Sequence, residues 1–550
     1  MLTYTPNHDN TAPLPTERPW LLLLLTFIWL WPGILGHDPW RPDEPWVTAV
    51  VQQMLSSGNY LVPALDGKAF LRDAPLYYWL GAGFAKLFSP WLLPVHDAIR
   101  LATPFCMAAG LAFAGGAGRE LIGRRHGRSV VLILIGCFGL IVTGHEMNPV
   151  VAGFTGFAAA FYGLTLALRA PALGGALLGL ASVWLLLSTS AFEVALVWLL
   201  ALSLPLFAAW RSRRHAITLL MALLIAVPLC SLWLVGFKSS HPLAFQLWLD
   251  AFALGPFNGF ARLAFFHEPG YYSKTVLWYA FPAWPLALWT LYRSYRIRRF
   301  KRPLIQLPLL AFAVSMLVLT LSSRQSSESA LPLLLPLAIL AAAELDTLRR
   351  GAAAFLNWFG LMTFGLFGLL VWLGWLAMNF GWPERLAGRA HYFSPYYVPH
   401  ISFIAAGFAL LATLGWLWAV TRRHLRGRQA VTNWAAGITL FWGLGMTLWL
   451  PWLDAAKSYR PVVDKMMAVL PDDVQCVATD SRNGMARLSW QYYAGLELKP
   501  YVAGETPPCD WLLVMRTRDE GLAEPGWQVL WSGARPRDKD EQYGLLRRQP

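Results

Sequence analysis

Apolar runs separated by short polar and basic connections fill most of this chain. The runs have the roughly 17 to 25 residues a helix needs to cross about 30 Å of hydrocarbon. The pattern predicts thirteen membrane helices, near 20–36, 98–119, 129–145, 149–168, 172–188, 191–209, 216–236, 276–292, 303–321, 331–347, 354–378, 400–420 and 432–452. The first run, 20–35, follows a polar N-terminus and ends in Gly36-His37-Asp38-Pro39-Trp40, without the small-residue pattern of a cleaved leader. It reads as a retained signal anchor. Two connections are long, 37–97 and 237–275, and both carry charge, Pro, Trp and Tyr. Long ordered loops over a helical bundle commonly carry function. Segment 76–93 is apolar enough for a weak span, but counting it would flip every later connection, so it reads as a helix lying in the interface.

After Trp452 the pattern becomes that of a water-facing domain. Alternating stretches at 475–479, 511–516 and 527–531 predict strands, and 484–495 predicts a helix between them. No glycine-rich nucleotide signature accompanies them. The expected fold is a mostly α, polytopic helical bundle over 1–454 with a small α/β domain over 455–550. Asp454, Lys457 and Arg460 have the spacing of a helix joining the two, which is read as a structural role.

Composition supports this. The chain is 56% hydrophobic and 14% charged, whereas soluble domains are about 25% charged. The net charge of +14 does not point to nucleic acid, because Lys and Arg gather in short clusters at 119–128, 211–214, 293–302, 349–350 and 422–428, between apolar runs. Basic connections mark the cytoplasmic side. With the N-terminus inside and thirteen spans, every cluster falls inside and the C-terminus outside. The 29 Trp, many near span ends, fit interfacial belts. Among five Cys, Cys106, Cys137 and Cys230 lie in predicted spans, while Cys476 and Cys509 start predicted strands and could pair in an oxidising compartment. No metal-ligand spacing is present, and whether a divalent metal serves the chain is left open.

The candidate chemistry begins at Trp40-Arg41-Pro42-Asp43-Glu44-Pro45-Trp46, an acidic pair just after the first span and at the start of a predicted helix, 44–55. Asp43 can cap that helix. Alternatively, partial desolvation at a membrane surface lets a carboxylate serve as general base toward an acceptor hydroxyl. Glu146, in Thr143-Gly144-His145-Glu146-Met147-Asn148, is either an interfacial charge or a second functional carboxylate. Glu193 lies near the end of the sixth predicted span, where ionisable groups are costly. Lys68, Arg72, Arg262, Lys274 and Arg324 are candidate cations for a phosphate on the outer side, or snorkelling anchors. His267, in His267-Glu268-Pro269-Gly270-Tyr271-Tyr272, is either a sugar or metal contact or an ordinary interfacial residue beside two belt tyrosines. A transporter would show inverted repeats around a midplane charge, and no such repeat is found.

The order of features is a first span, an acidic pair in a large outer loop, then Phe70-Leu71-Arg72-Asp73-Ala74-Pro75-Leu76-Tyr77-Tyr78-Trp79, then a multispan bundle. This resembles the C-type glycosyltransferases that use polyprenyl-phosphate sugars, and among them the aminoarabinose transferases that modify lipid A, which are related to the protein mannosyltransferases. Ala152-Gly153, Tyr162-Gly163-Leu164, Phe281-Pro282-Ala283-Trp284-Pro285-Leu286 and Leu331-Pro332 with Pro336-Leu337-Ala338 add local support. The resemblance implies inverting transfer from a polyprenyl-phosphate sugar to an outer-leaflet acceptor such as lipid A, in a bacterial inner membrane with a periplasmic C-terminal domain. It implies Asp43, Glu44 and Glu146 as catalytic carboxylates and Arg72, Asp73, Tyr77, Tyr78, His267 and Arg324 as substrate contacts. The chain departs from the family where Glu-Lys is replaced by Arg72-Asp73, where an acidic residue is replaced by Asn148, where a Tyr is replaced by Ser329, and where a Lys-Gly pair is replaced within Ser188-Thr189-Ser190. Those departures also motivate a different reading, a lipid-binding or scaffolding homologue without transfer.

Overall fold

Every predicted apolar run carries helix in the computed structural model, which describes residues 19–549 except 266–267, 422–426, 475, 481–483, 502–507, 537 and 539–540. The chain opens with α1 (Pro19–Leu30), then α2 (Glu44–Ser57), a two-residue hairpin of β1 (Ala64–Leu65) and β2 (Lys68–Ala69), and α3 (Leu76–Phe88). The bundle continues through α4 (Val95–Arg100), α5 (Ala102–Leu121), α6 (His126–Ile135), α7 (Phe138–Thr143), α8 (Val150–Leu166), α9 (Pro171–Ser188), α10 (Ala191–Ser203), α11 (Arg213–Ser240) and α12 (Pro242–Ala251). It closes with α13 (Tyr271–Tyr279), α14 (Ala283–Arg296), α15 (Pro303–Thr320), α16 (Leu331–Ala343), α17 (Arg350–Phe380), α18 (Glu384–Phe393), α19 (Phe403–Val420), α20 (Gly427–Leu448) and α21 (Leu450–Lys457).

Among the described residues six helices are long and apolar enough to cross a membrane, seven if α20 and α21, bent by 67°, count as one. Five further apolar helices are shorter. The bend between α20 and α21 falls inside the predicted 432–452 run, and two further predicted runs are broken. The 129–145 run divides into α6 and α7 at Gly136-Cys137, and the 276–292 run divides into α13 and α14 around Pro282, which lacks the N–H a continuous helix needs. Coverage differs sharply along the bundle. In Val95–Leu121 67% of the apolar window is buried, in α17 22% and in α19 11%, so the last two present apolar side chains that need a lipid solvent. Where helices meet closely, small residues allow it. A Cβ on Gly163 of α8 would lie 2.8 Å from the Gly174 carbonyl of α9, and one on Gly174 2.6 Å from the Gly163 carbonyl.

Beyond the bundle, α22 (Arg460–Met467) and α23 (Gly484–Ala494) pack on a five-stranded sheet of order β4-β3-β5-β7-β6, formed by β3 (Cys476–Asp480), β4 (Glu497–Tyr501), β5 (Trp511–Arg516), β6 (Trp527–Gly533) and β7 (Gln542–Arg548). Strand β3 runs parallel to β4 and β5, and β7 pairs antiparallel with β5 and β6. Cys476 and Cys509 are joined. Tyr459, Trp490, Leu513 and Tyr543 form part of a separate core. The first long loop is tied to this unit by Asp38, whose carboxylate accepts from Ser458 Oγ at 2.6 Å and Arg460 Nη2 at 2.7 Å. Asp454 in turn accepts from the Asp38 N–H at 3.0 Å and Trp40 Nε1 at 2.8 Å.

Candidate active site

Asp43 occupies the position before α2, but its side chain makes no capping hydrogen bond. Its carboxylate is turned the other way. Oδ2 accepts from Asn148 Nδ2 at 2.9 Å, in the turn that starts α8, and Oδ1 is paired with Arg72 Nη2. Arg72 also bridges to Asp73, Nε to Oδ2 at 3.3 Å. Asp73 accepts from the Tyr78 hydroxyl at 3.3 Å. The reversed Arg72-Asp73 pair is thus an internal ion pair, and one guanidinium serves two carboxylates. Burial tends to lower the Arg72 pKa, but Asp73 and Asp43 outweigh it and hold the guanidinium charged.

Glu44, the next residue, faces a different set of elements. Arg100, fully buried at the end of α4, donates from Nε to Glu44 Oε1 at 3.3 Å and from Nη2 to Oε2 at 3.0 Å. The Trp40 N–H adds 2.7 Å to Oε2 and the Met147 N–H 3.3 Å to Oε1. Arg100 Nη1 also donates to Asp97 Oδ1 at 2.6 Å and to the Ile34 carbonyl at 3.1 Å. Burial pushes the Glu44 carboxyl up, yet Arg100, His37 and the hydrogen bonds hold it below the usual range. With four donors on two oxygens, Glu44 is committed to fixing the loop and α2 against α4. Such a group has no free lone pair for an acceptor.

Two further carboxylates approach Asp43. Glu146, in the turn between α7 and α8, is pushed up to about 7 by burial and by Glu328, Glu44 and Asp43. Glu328 opens the short turn before α16, and burial and Asp43 raise it while a hydrogen bond with Asn148 opposes them. A small cavity of about 50 Å³ lies beside it, walled by Val150, Phe154 and Phe157 of α8 and Leu331 and Pro332 of α16, with Glu193 and Glu328 as its acidic groups. Glu193 is held in a capping box, its Oε2 accepting from Ser190 Oγ at 2.5 Å. Tyr77 is turned into the bundle, its hydroxyl 2.6 Å from Thr103 Oγ1. Arg324 is exposed, its backbone N–H bonded to the Pro256 carbonyl. Lys274 pairs with Glu268 at 2.7 Å, while Lys68 and Arg262 are exposed. His267 lies outside the described residues. Where Ser329 replaces an expected phenol, the buried Tyr272 ring brings its hydroxyl toward Ser322 and Ser329. Among the described residues no three His, Cys, Asp or Glu side chains converge as metal ligands.

No protein-family model matches the chain. An undecaprenyl phosphate-alpha-4-amino-4-deoxy-L-arabinose arabinosyl transferase of Serratia proteamaculans (strain 568) is 27% identical over 497 residues, 86% of this chain and 83% of that protein. One from Pseudomonas fluorescens (strain Pf0-1) is 26% identical over 348 residues, 60% of this chain and 58% of that protein. ArnT from Cupriavidus metallidurans, solved bound to undecaprenyl phosphate, superposes with a TM-score of 0.65 at 15% identity, covering 96% of this chain and 98% of that one. Its apo state gives 0.66 at 16% identity. The chain resembles the aminoarabinose transferases in sequence and has the fold of ArnT. In this ArnT-like fold the residues that sequence reasoning missed are Arg100 with Asp97, and Glu328. Asp97 and Arg100 carried a signal, an i, i+3 charge pair at the mouth of an apolar run. Glu328 carried none, because only the fold brings its turn against Asn148.

Proposed function

We propose that this chain is a membrane glycosyltransferase that moves a sugar from a polyprenyl phosphate to an outer-leaflet lipid such as lipid A, with Asp43 as the base. The observation that carries this reading is the Asp43 carboxylate. It makes no capping hydrogen bond, is oriented by Asn148 and Arg72, and lies close enough to Glu146 and Glu328 to raise both carboxyls, and Glu328 lines a cavity. In the reaction an acceptor oxygen attacks the anomeric carbon from the face opposite the phosphate. The bond from that carbon to the phosphate oxygen breaks, the phosphate leaves with the electron pair, and the acceptor proton passes to Asp43. The configuration inverts. Glu44 holds the loop through Arg100, and Glu146 is a second carboxylate that exchanges protons near neutrality. Arg72 and the exposed Arg324 receive the donor phosphate, Tyr78 orients Asp73, and Tyr77 secures α3. His267, which lies outside the described residues, is proposed as a further substrate contact.

The topology that goes with this reading is thirteen spans, N-terminus inside, over 1–454, and a periplasmic domain over 455–550, in a bacterial inner membrane. It is supported by the basic clusters all falling on one side. The relatives' donors carry an amino sugar. The cavity walls, which among the described residues hold Glu193 and Glu328 and no basic side chain, support a sugar bearing an ammonium group here.

The sharing of Arg72 between Asp43 and Asp73 favours one other reading, a homologue that binds the lipid phosphate without transfer. Incubation of the purified chain in liposomes with radiolabelled polyprenyl-phosphate amino sugar and lipid A separates the two. Label on lipid A with inverted anomeric configuration is expected. Donor binding without transfer to any acceptor would leave the second reading standing.

A further inference from the structure

The connection between α17 and α19 holds a surface that the transfer reading does not use. Both helices are among those able to cross a membrane, and only 22% and 11% of their apolar windows are buried. Between them, α18 buries none of its residues. Arg385, Arg389 and Tyr392 recur at i, i+4 and i+7 along one side, and Leu386, Ala390 and Phe393 at the same spacing along the adjacent side. Trp382 (63% exposed) and Val398 (77%) extend the uncovered apolar strip into the flanking turns. Neither arginine has an ion-pair partner among the described residues, and the helix's only acid is Glu384, at its first position.

The helix is nonetheless held in place. Trp452 Nε1 donates to the Ala390 carbonyl at 3.0 Å, the Tyr396 hydroxyl lies 3.5 Å from the Ala534 carbonyl, and Lys465 lies over the Tyr396 ring at 4.0 Å. These contacts fix the connection beside α21 and the sheet, on the side where α17 and α19 leave the apolar layer. An exposed apolar strip beside a basic side marks a surface for a partner or a membrane. A helix with apolar and basic sides at the end of two membrane-crossing helices matches the boundary between acyl chains and headgroups. Unpaired arginines one turn apart there are complementary to lipid phosphates.

We infer that α18 lies in the membrane interface and uses Arg385 and Arg389 to gather anionic phospholipid headgroups around the bundle on the side of the C-terminal sheet. The inference needs only that α17 and α19 span the membrane, and it stands whether or not the chain transfers sugar.

Gly388 provides a local reporter position, since a Cβ added there meets nothing within 4 Å. The full chain with Gly388→Cys, in a Cys230→Ala background that removes the partly exposed thiol, is labelled with bimane. It is then reconstituted in phosphatidylcholine vesicles containing an equal fraction of phosphatidylglycerol or phosphatidylcholine that carries a nitroxide on the upper acyl chain. Quenching by the phosphatidylglycerol probe is expected to correspond to roughly tenfold enrichment over the phosphatidylcholine probe at low salt. The enrichment is expected to fall toward parity in 1 M salt and in an Arg385→Gln/Arg389→Gln variant, whose exposed changes leave the fold intact. Equal quenching by both probes would overturn the headgroup assignment, and quenching by neither would overturn the interfacial position itself.

Discussion

Arg100 is the residue whose loss the structure prices most clearly. Its side chain is fully buried and holds Glu44 and Asp97, themselves nearly buried, together with carbonyls of the first loop. Replacing it by Met keeps the volume but leaves two carboxylates without their cation. Breaking a buried pair in this way costs about 3–5 kcal/mol. The cost has a pH signature. The Glu44 carboxyl, held below its ordinary value near 4.5 by Arg100 in spite of burial, contributes stability that is present above pH 4.5 and lost as pH falls through the lower folded value. In Arg100→Met burial is opposed only by His37 and the Trp40 and Met147 N–H groups, so the same carboxyl rises and the variant gains on protonation. The gap between the two proteins is therefore widest at neutral pH and narrows below about 4.5. Unfolding of detergent-purified protein, followed by tryptophan fluorescence against denaturant at pH 7 and pH 4, measures it, with Arg100→Lys as the milder control that retains charge but loses the two-pronged contact. An Arg100→Met protein within about 0.5 kcal/mol of wild type at pH 7, or an equal loss at both pH values, would refute the argument.

Other consequences follow from single contacts. Glu146, pushed up to about 7 chiefly by burial and Glu328, is a carboxyl whose folded pKa exceeds its ordinary 4.5, so its ionisation destabilises the fold as pH rises between those values. Glu146→Gln is then expected to unfold like wild type below pH 4.5 and to be more stable by on the order of 1–2 kcal/mol above pH 7, allowing for partial exposure, and thermal unfolding across that range checks it. The Cys476–Cys509 bridge closes a 33-residue separation, worth about 4 kcal/mol in the chain-entropy model. Alkylation of the denatured chain is expected to find three free thiols before reduction and five after, and a count of five before reduction would contradict the bridge.

Much of the architecture could be read from the chain because hydrocarbon thickness fixes the length of an apolar helix, and each run announces itself without any tertiary information. The breaks inside 129–145 and 276–292 were harder, since a span supported by neighbours tolerates an interruption that a hydropathy pattern averages away. Strand β4 escaped notice because Glu497, Lys499 and Pro500 make an edge strand look like a loop, and edge positions are where Pro is allowed. At the site, the acidic pair was visible but its division of labour was not. Asp43 and Glu44 are adjacent in sequence, yet one meets Asn148 and Arg72 and the other Arg100 and the Met147 N–H. Adjacent residues at a helix start point to different neighbours, and which neighbours they meet depends on how α4 and the turn before α8 pack. The same holds for Tyr272, whose ring is turned toward the Ser329 position from the first turn of α13.

The most direct test of the central proposal compares Asp43→Asn with Glu44→Gln and wild type in radiolabelled transfer from a polyprenyl-phosphate amino sugar, alongside donor binding by the same preparations. The account predicts that Asp43→Asn binds donor and loses transfer by a factor of about 10² to 10⁴, while Glu44→Gln loses stability and transfer in parallel. Undiminished transfer by a folded Asp43→Asn protein would contradict it.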